Sequence, residues 1–542
     1  MTNREIAKYF DLLAKLMELY DDNPFKIRSY RNAYNSIRQI SIPLIKLDEK
    51  QLLEIHGIGK AIAKKIIELK EKGTFDALDR ILEKTPPGIL DLLKIKGLGP
   101  KKVKMIWKEL GVESLGELEY AIKENRLSLL KGFGKKTQEN ILKQILFLES
   151  MKGHFLFYKV LPVAKELMQM FLEKYTNEKF SLTGNLRRYF PVISSIDIVS
   201  SIGIDVIIKD FSDQFEYKDG ELFYKKIKIH IIKTVANKFG LDLFVSTGPK
   251  FFVDKFKLED NIEETAIFKS NNIPYIPPVF RDNEKIIQDP GSFDESGYVH
   301  IEDIKGIIHS HTVWSDGSDS VFDLANYCRQ NGYQYLVVSD HSKSAFYANG
   351  LKIDQIKYYL EDIVEVNSKL QDFTVFSGIE SDILSDGSLD YDDEILSKFD
   401  VVIASVHSGL RMNKEKATER ILKAIQNPFT RILGHVSGRI LLAREGYPLD
   451  YETIFQACVE NNVVMEINAN PHRLDIDWKL IDRARDWGVK FSINPDAHSK
   501  YEVDYLKYGI FMAQKGGVLK ENCLNIKNTL DFERWIGKKK ML

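Results

Sequence analysis

The sequence predicts a multidomain chain: an α-helical N-terminal region, a mixed α+β middle, and a C-terminal α/β barrel of seven strand–helix units. Three observations predict it. Over residues 1–150 apolar residues recur at helical spacing, as in IAKYFDLLAKLMELY, without strand-like alternation. Over 155–280 helical stretches mix with short β-like runs such as IDVIIK (204–209) and KIKIHII (226–232). From about residue 303 short apolar strands alternate with longer amphipathic helices: GIIHSH, YLVVSDH, FTVFSGIE, VVIASVH, RILGHVSG, VVMEINA and KFSINPDAH. Strands separated by helices pair in parallel, and seven such units suit an α/β barrel. Between middle and barrel, residues 279–300 are rich in Pro, Gly and Asp and read as a linker.

The 542 residues, 44% hydrophobic and 29% charged, suit a soluble globular protein of several domains. No apolar run approaches the ~18 residues of a membrane span. The N-terminal MTNREIAKYFDLLAKL lacks the apolar stretch of a signal peptide. Cys328, Cys458 and Cys523 are odd in number and far apart, which argues against a disulfide framework and a zinc knuckle. A cytoplasmic, nucleoid-associated protein is expected, and a monomer, since no coiled coil or apolar docking helix is evident. Net charge is −1 but unevenly spread: residues 1–150 hold 28 Lys and Arg against 21 Asp and Glu. A basic module joined to an acidic remainder suggests a polyanion-binding part and a metal-binding part.

Three stretches repeat one pattern: LLEIHGIGKAIAKKIIEL (52–69), LLKIKGLGPKKVKMIWKEL (92–110) and LLKGFGKKTQENILKQI (129–145). Each is an apolar helix, a Gly-x-Gly turn and a second helix. The pairs Gly57/Gly59, Gly97/Gly99 and Gly132/Gly134 permit positive φ and close backbone approach. The free N–H groups of the helix that follows then face outward at the positive end of its dipole, with Lys60, Lys101 and Lys135 beside them. A phosphodiester can sit there with no base contact. These repeats resemble helix–hairpin–helix DNA-binding motifs, and NPFKIRSYRNAYNSI (23–37) resembles the start of the small N-terminal domain of family X DNA polymerases. That resemblance gives Lys65 a phosphate contact, or Schiff-base chemistry on an abasic sugar.

The middle region resembles a family X palm of nucleotidyltransferase type. The family carries Gly-Ser-x-Arg-Arg, then Asp-x-Asp, then a third Asp on a neighbouring strand. Gly184, Arg187, Arg188, Asp197 and Asp242 match; Asn185 replaces the serine and Ser195 the first Asp. Alternate strand residues share a face, so Asp-x-Asp aims both carboxylates at two Mg²⁺ ions. A serine leaves that site one charge short. The thumb is also short: EETAIFKSNNIPYIPP (263–278), which resembles its end, follows Asp242 after about twenty residues. Palm Mg²⁺ and templated nucleotide addition are therefore not expected.

In a parallel barrel functional side chains gather at the C-terminal ends of the strands. Those ends carry His309, His311, Asp316, His341, Glu380, His407, His435, Asp496 and His498, so six of the eleven histidines fall there. His-x-His puts two imidazoles on one face, as Zn²⁺, Mn²⁺ or Fe²⁺ requires. Nine ligands exceed what one ion uses, which implies two or three ions, with Glu380 as the bridge. The set resembles the PHP (polymerase and histidinol phosphatase) domain, with matching segments GIESDILSDGSLDY, REGYPLD and EINANPHRLDIDW. Ile307 stands where an Asp often precedes His-x-His. Arg411, Arg439 and Arg473, in post-strand loops, are candidates for substrate phosphate.

By this reading residues 1–85 form a small helical DNA-binding domain with the first hairpin, and 86–150 a fingers-like region with two more. A degenerate palm (151–250), a truncated thumb and linker (251–300) and a distorted (β/α)7 PHP barrel (301–542) follow. The resemblance implies a DNA-repair enzyme with metal-dependent 3′–5′ exonuclease activity, extending to 3′-phosphatase or abasic-site cleavage, on gapped, nicked or 3′-ended duplex. The competing readings are an active gap-filling polymerase, a small-molecule phosphatase of histidinol-phosphate type, and a non-catalytic DNA-binding scaffold.

Overall fold

A computed structural model describes residues 1, 3–40, 42–150, 153–218 and 220–537, which form two compact units, 1–146 and 147–542. The first is helical throughout. Its three hairpins share one geometry. Gly57, Gly97 and Gly132 sit at φ +90°, +93° and +89°, where an L side chain is strained. The residue between the glycines (Ile58, Leu98, Phe133) is buried and pins each turn to the core. Gly59 and Gly99 then cap the helices Lys60–Lys72 and Pro100–Leu110 with no side-chain bond to the first N–H groups. Gly134 precedes the third helix, Lys135–Ser150, and its carbonyl accepts from the Thr137 N–H at 2.9 Å.

The expectation that both glycines of each pair serve the turn needs correction. Gly59, Gly99 and Gly134 lie outside the left-handed region, and a Cβ on any of them would meet nothing within 4 Å. Only Gly57, Gly97 and Gly132 are demanded by the backbone. At Gly59, Gly99 and Gly134 the chain has already entered conformations open to any residue, so the fold itself does not require glycine there.

The second unit holds two main sheets. The smaller comprises β1 (Phe180–Leu182), β2 (Ser195–Ser200), β3 (Phe215–Lys218), β4 (Glu221–Tyr224) and β5 (Ile227–Lys233). Its order is β1-β2-β5-β4-β3, and β2 and β5 run parallel. Ile196 and Ile198 face the core, which turns Ser195 and Asp197 to the other face. The helix Phe157–Lys174 packs on this sheet through Val160, Ala164, Leu167 and Phe171.

Two further expectations need correction. IDVIIK is a helix, Ile204–Asp210, not a strand. Ile204, Ile207 and Ile208 turn inward at helical spacing while Val206 stays exposed, so the period of burial overrides β-branched composition. Residues 279–300 are not a linker. Their turn residues do make short 3-10 turns, but Phe280 and Phe293 join Phe244, Phe252 and Phe268 in a separate apolar cluster, and Val299 is buried.

The larger sheet is the barrel: β6 (Gly306–Ile307), β7 (Tyr335–Val338), β8 (Thr374–Asp382), β9 (Val401–Ser405), β10 (Thr430–Leu433), β11 (Val464–Asn468) and β12 (Phe491–Asn494), all parallel and in sequence order. It is nearly closed: a parallel bridge joins Ser310 to Ala497, and the His311 N–H donates to the Ala497 carbonyl at 2.8 Å. Phe532, on the helix Thr529–Gly537, stacks on Tyr335 at 4.4 Å and seals the N-terminal end of the strands. Function is left to the opposite end.

Candidate metal centre

All nine predicted ligands come together at that opposite end, and Glu380 is their hub. Its carboxylate lies 3.3 Å from His309 Nε2, 3.7 Å from His311 Nε2, 2.9 Å from His341 Nδ1, 3.3 Å from His407 Nε2 and 3.0 Å from His435 Nε2. Asp316 Oδ1 lies 3.6 Å from His341 Nε2 and 3.5 Å from His498 Nε2. Asp496 Oδ1 lies 3.5 Å from His309 and 3.2 Å from His311. Three overlapping groups result: His311, Asp316, His341 and His498; His309, His311 and Asp496; His341, Glu380 and His407. His309 and Asp496 hold left-handed backbone, φ +64° and +51°, conformations that persist only where surrounding structure enforces them.

The site is built for cations. Burial alone would push the Glu380 and Asp496 carboxyls up, but the surrounding imidazoles hold both well below the ordinary carboxylate range. His311 is pushed down to about 3 by burial, with His341 and His498 adding to the effect. Burial also opposes protonation of His407, yet Glu380 and Asp382 outweigh it and raise the imidazole to about 10. Buried polar atoms are normally hydrogen-bonded. Here His309 Nε2, His311 Nδ1 and Asp316 Oδ2 are buried and make no hydrogen bond. Unsatisfied nitrogen and oxygen donors at this density fit divalent metal, which would satisfy them.

Sequence reading missed the residues that hold the ligands. Glu466, in β11, lies with Oε2 2.6 Å from His309 Nδ1 and accepts from Asn494 Nδ2 at 2.8 Å. Its Oε1 accepts from Asn468 Nδ2 at 2.8 Å and from the His435 N–H at 3.0 Å. Asp382 pairs with His407 Nδ1. Asp340 accepts from Thr312 N–H at 2.8 Å and Ser315 Oγ at 2.6 Å. The signal was present in VVMEINA, where Glu466 and Asn468 alternate with apolar residues in a buried strand and share a face.

The three arginines separate. Arg473 is buried, with Nε 3.7 Å from Asp496 Oδ2. Arg411 is exposed after β9. Arg439 does not fit a phosphate contact: its guanidinium bonds the Arg473 and Leu474 carbonyls and pairs with Asp477, clamping the loop after β11.

In the smaller sheet Ser195 Oγ donates to Asp197 Oδ1 at 2.8 Å. A Cβ at Gly184 (φ +63°) would overlap the Asp197 carboxylate. Asp242 is not on a neighbouring strand. It lies in the helix Phe239–Thr247, its carboxylate bonded to the Thr234 hydroxyl. The residues of β5 opposite Ser195 and Asp197 are Lys228 and His230, with His230 Nδ1 3.7 Å from Asp197 Oδ1. Arg187 forks onto Glu264 at 2.9 and 2.7 Å, and Arg188 pairs with Asp282 at 2.8 Å.

At the first hairpin Gly57, Gly59 and Lys60 line a cavity of about 730 Å³ with Phe25, Arg28 and Asn32. Lys101 and Lys135 are exposed at the starts of their helices, and so are Gly132 and Gly134. Lys65 is half-buried, its Nζ 5.5 Å from the centre of the Tyr30 ring. Among the described residues no helix is long and apolar enough to cross a membrane.

A helix-hairpin-helix domain family matches residues 1–75, and a SAM-like helix-hairpin-helix tandem matches 89–145. The fold and its ligand cluster thus define a PHP-type barrel in a chain that begins with helix–hairpin–helix modules. Its C-terminal part is similar to two probable phosphatases. One, from Thermoanaerobacter sp., is 26% identical over 40% of this chain and 88% of that protein; the other, from Clostridium acetobutylicum, is 28% identical over 36% and 80%. The chain is also 28% identical to the DNA polymerase/3'-5' exonuclease PolX of Bacillus subtilis, over 99% of each. The likeness to that protein therefore runs the length of the chain, through the helix–hairpin–helix modules and the barrel alike.

Proposed function

We propose that this protein is a DNA-binding, divalent-metal-dependent 3′–5′ exonuclease of DNA repair, and that its polymerase palm no longer transfers nucleotides. The observation that carries the reading is the contrast between the two sites. In the barrel Glu380 gathers five imidazoles within 3.7 Å. In the palm the strand carries one carboxylate, Asp197, with Ser195 two residues before it and His230 opposite it, while Lys228, opposite Ser195, is paired with Glu221. A serine and an imidazole around Asp197, where further carboxylates would have to stand, do not make the two-cation site that nucleotidyl transfer requires.

The nine barrel residues would hold two or three ions of the Mn²⁺, Zn²⁺ or Fe²⁺ type. Such ions, when bound, supply hydroxide and shield the charge of a phosphodiester. The chain's own residues do the rest. Glu466 and Asp382 fix the His309 and His407 rings so that Nε2 of each faces Glu380. Arg473, buried beside Asp496, offers a cation to a terminal phosphate. The open backbone at Gly59, Gly99 and Gly134, with Lys60, Lys101 and Lys135, takes backbone phosphates without reading sequence.

The relatives described as probable phosphatases favour a second reading, a small-molecule phosphatase. The three matching hairpins argue against it, because a small substrate has no use for them.

A primed, one-nucleotide-gapped DNA labelled at the primer's 5′ end, with Mn²⁺ and all four dNTPs, tests the proposal. Wild type is compared with His341→Ala and Asp197→Ala. Primer shortening abolished only by His341→Ala is the expected result. Extension abolished by Asp197→Ala would overturn the inactive palm, and cleavage of small phosphate esters with no action on DNA would overturn the exonuclease.

A further inference from the structure

A hydrogen bond joins the palm to the loop beside the barrel site. Tyr158, near the start of the helix Phe157–Lys174, places its hydroxyl 3.0 Å from His472 Nε2, with the two rings 5.3 Å apart. His472 is buried in the loop after β11, and its N–H donates to Asn470 Oδ1 at 3.1 Å. The next residue is Arg473, the cation beside Asp496.

The same loop is held on its other side by Arg439, bonded to the carbonyls of Arg473 and Leu474. The Leu441 N–H donates to the His472 carbonyl at 2.7 Å. Arg473 is therefore carried on backbone gripped within the barrel by Arg439 and Leu441 and from the palm by Tyr158. Tyr158 is itself packed against Tyr505 and Tyr508 of the barrel, which fixes its ring and leaves the hydroxyl's aim at His472 over-determined.

We propose that Tyr158 is a positioning residue for the barrel reaction: through His472 it sets Arg473 against the phosphate next to the bond that breaks. This rests on the exonuclease reading above and gives a catalytically silent palm a task in the reaction. A palm retained only as a spacer has no need of a polar contact to that loop. Small displacements of a charged group at a reacting phosphate are costly, and a shift of about 1 Å can cost on the order of 100-fold in rate.

The test uses the full-length protein with Mn²⁺ and single-turnover digestion of a 3′-ended duplex. Variants are Tyr158→Phe, Arg473→Lys and the double substitution, each with its melting temperature and bound-metal content. Tyr158→Phe is expected to lower the cleavage rate about 10-fold, with metal content, DNA affinity and melting temperature unchanged. The double variant is expected to be no slower than Arg473→Lys alone, since both act through one group. Unchanged cleavage in Tyr158→Phe would overturn the proposal. So would rate losses that multiply in the double variant, or a loss that follows metal content or melting temperature. A wild-type protein with no Mn²⁺-dependent digestion would instead sink the exonuclease reading itself.

Discussion

Nδ1 of His309 lies 2.6 Å from Oε2 of Glu466, and neither side chain is exposed. This pair ties the barrel's first strand segment to β11, whose end supplies none of the nine predicted ligands. Burial would keep His309 neutral, but Glu466, Asp496 and Glu380 together raise it well above its ordinary value. The carboxylate at Nδ1 fixes the ring so that Nε2 faces Glu380 and Asp496.

Glu466→Gln is accordingly expected to weaken metal binding by about 10- to 100-fold, the usual effect of losing a carboxylate behind a ligating histidine. Titration of metal-free protein with Mn²⁺ measures it. Digestion should recover at high Mn²⁺, because no substrate contact is removed. Wild-type affinity in the variant would mean that other contacts orient His309.

The cluster of nine residues was legible because strand ends and histidines coincide in the sequence, and α/β alternation fixes which end of each strand is which. Their supports were harder to see. Glu466 lies mid-strand in VVMEINA, where a buried carboxylate is recognisable only once His309 is known to face it. Asp242 was misplaced because the family pattern sets its third Asp on a strand, whereas here Leu243 and Phe244 are buried as part of a helix. Arg439 could not be told from Arg473 by loop position alone, since only the fold shows that Arg439 bonds the loop's own carbonyls while Arg473 lies against Asp496. Nor does Gly-x-Gly spacing tell Gly132, which the turn demands, from Gly134, which it does not; only the backbone angle separates them.

The palm makes a sharper prediction than the loss of one carboxylate would. If Ser195 alone were responsible, Ser195→Asp would restore primer extension. The parallel register sets Lys228 opposite residue 195 and His230 opposite Asp197. The new carboxylate would stand beside Lys228, which already pairs with Glu221, and no third acid stands on β5. Ser195→Asp is expected to give no extension with Mg²⁺ and dNTPs. Extension by this single variant would show that the charge of β5 is no obstacle.

Arg281 is fully buried and bonds Glu264 at 2.6 Å, while Arg187 grips the same carboxylate. Burial would raise the Glu264 carboxyl, but the two guanidiniums lower it overall. Its contribution to stability is therefore complete above the ordinary glutamate value and lost as pH falls through the lower folded value. Glu264→Gln leaves Arg281 buried without its counter-charge and should cost about 3–5 kcal/mol at pH 7. Denaturant melts of wild type and variant should converge as Glu264 becomes protonated in acid. A gap that stayed constant down to pH 2 would mean that the charge is not what matters.

The hairpins give the last prediction. Each presents backbone N–H groups at a helix start with lysine beside them, and Lys60, Lys101 and Lys135 should each neutralise about one phosphate. Releasing one counterion changes the slope of log affinity against log salt by about 0.9. Replacing Lys60, Lys101 or Lys135 singly by Ala should flatten that slope by roughly one unit each, and weaken duplexes of different sequence equally. Gly97→Ala is the complementary test. A Cβ there meets nothing within 4 Å, yet the backbone at φ +93° disfavours it. The turn would shift and its N–H groups turn away, so affinity should fall while the salt slope, set by the lysines, holds. Fluorescence anisotropy across a salt series separates the two effects. Sequence-dependent losses from the lysine variants would mean that the hairpins touch bases, and the phosphate-cradle account of residues 1–146 would have to be abandoned.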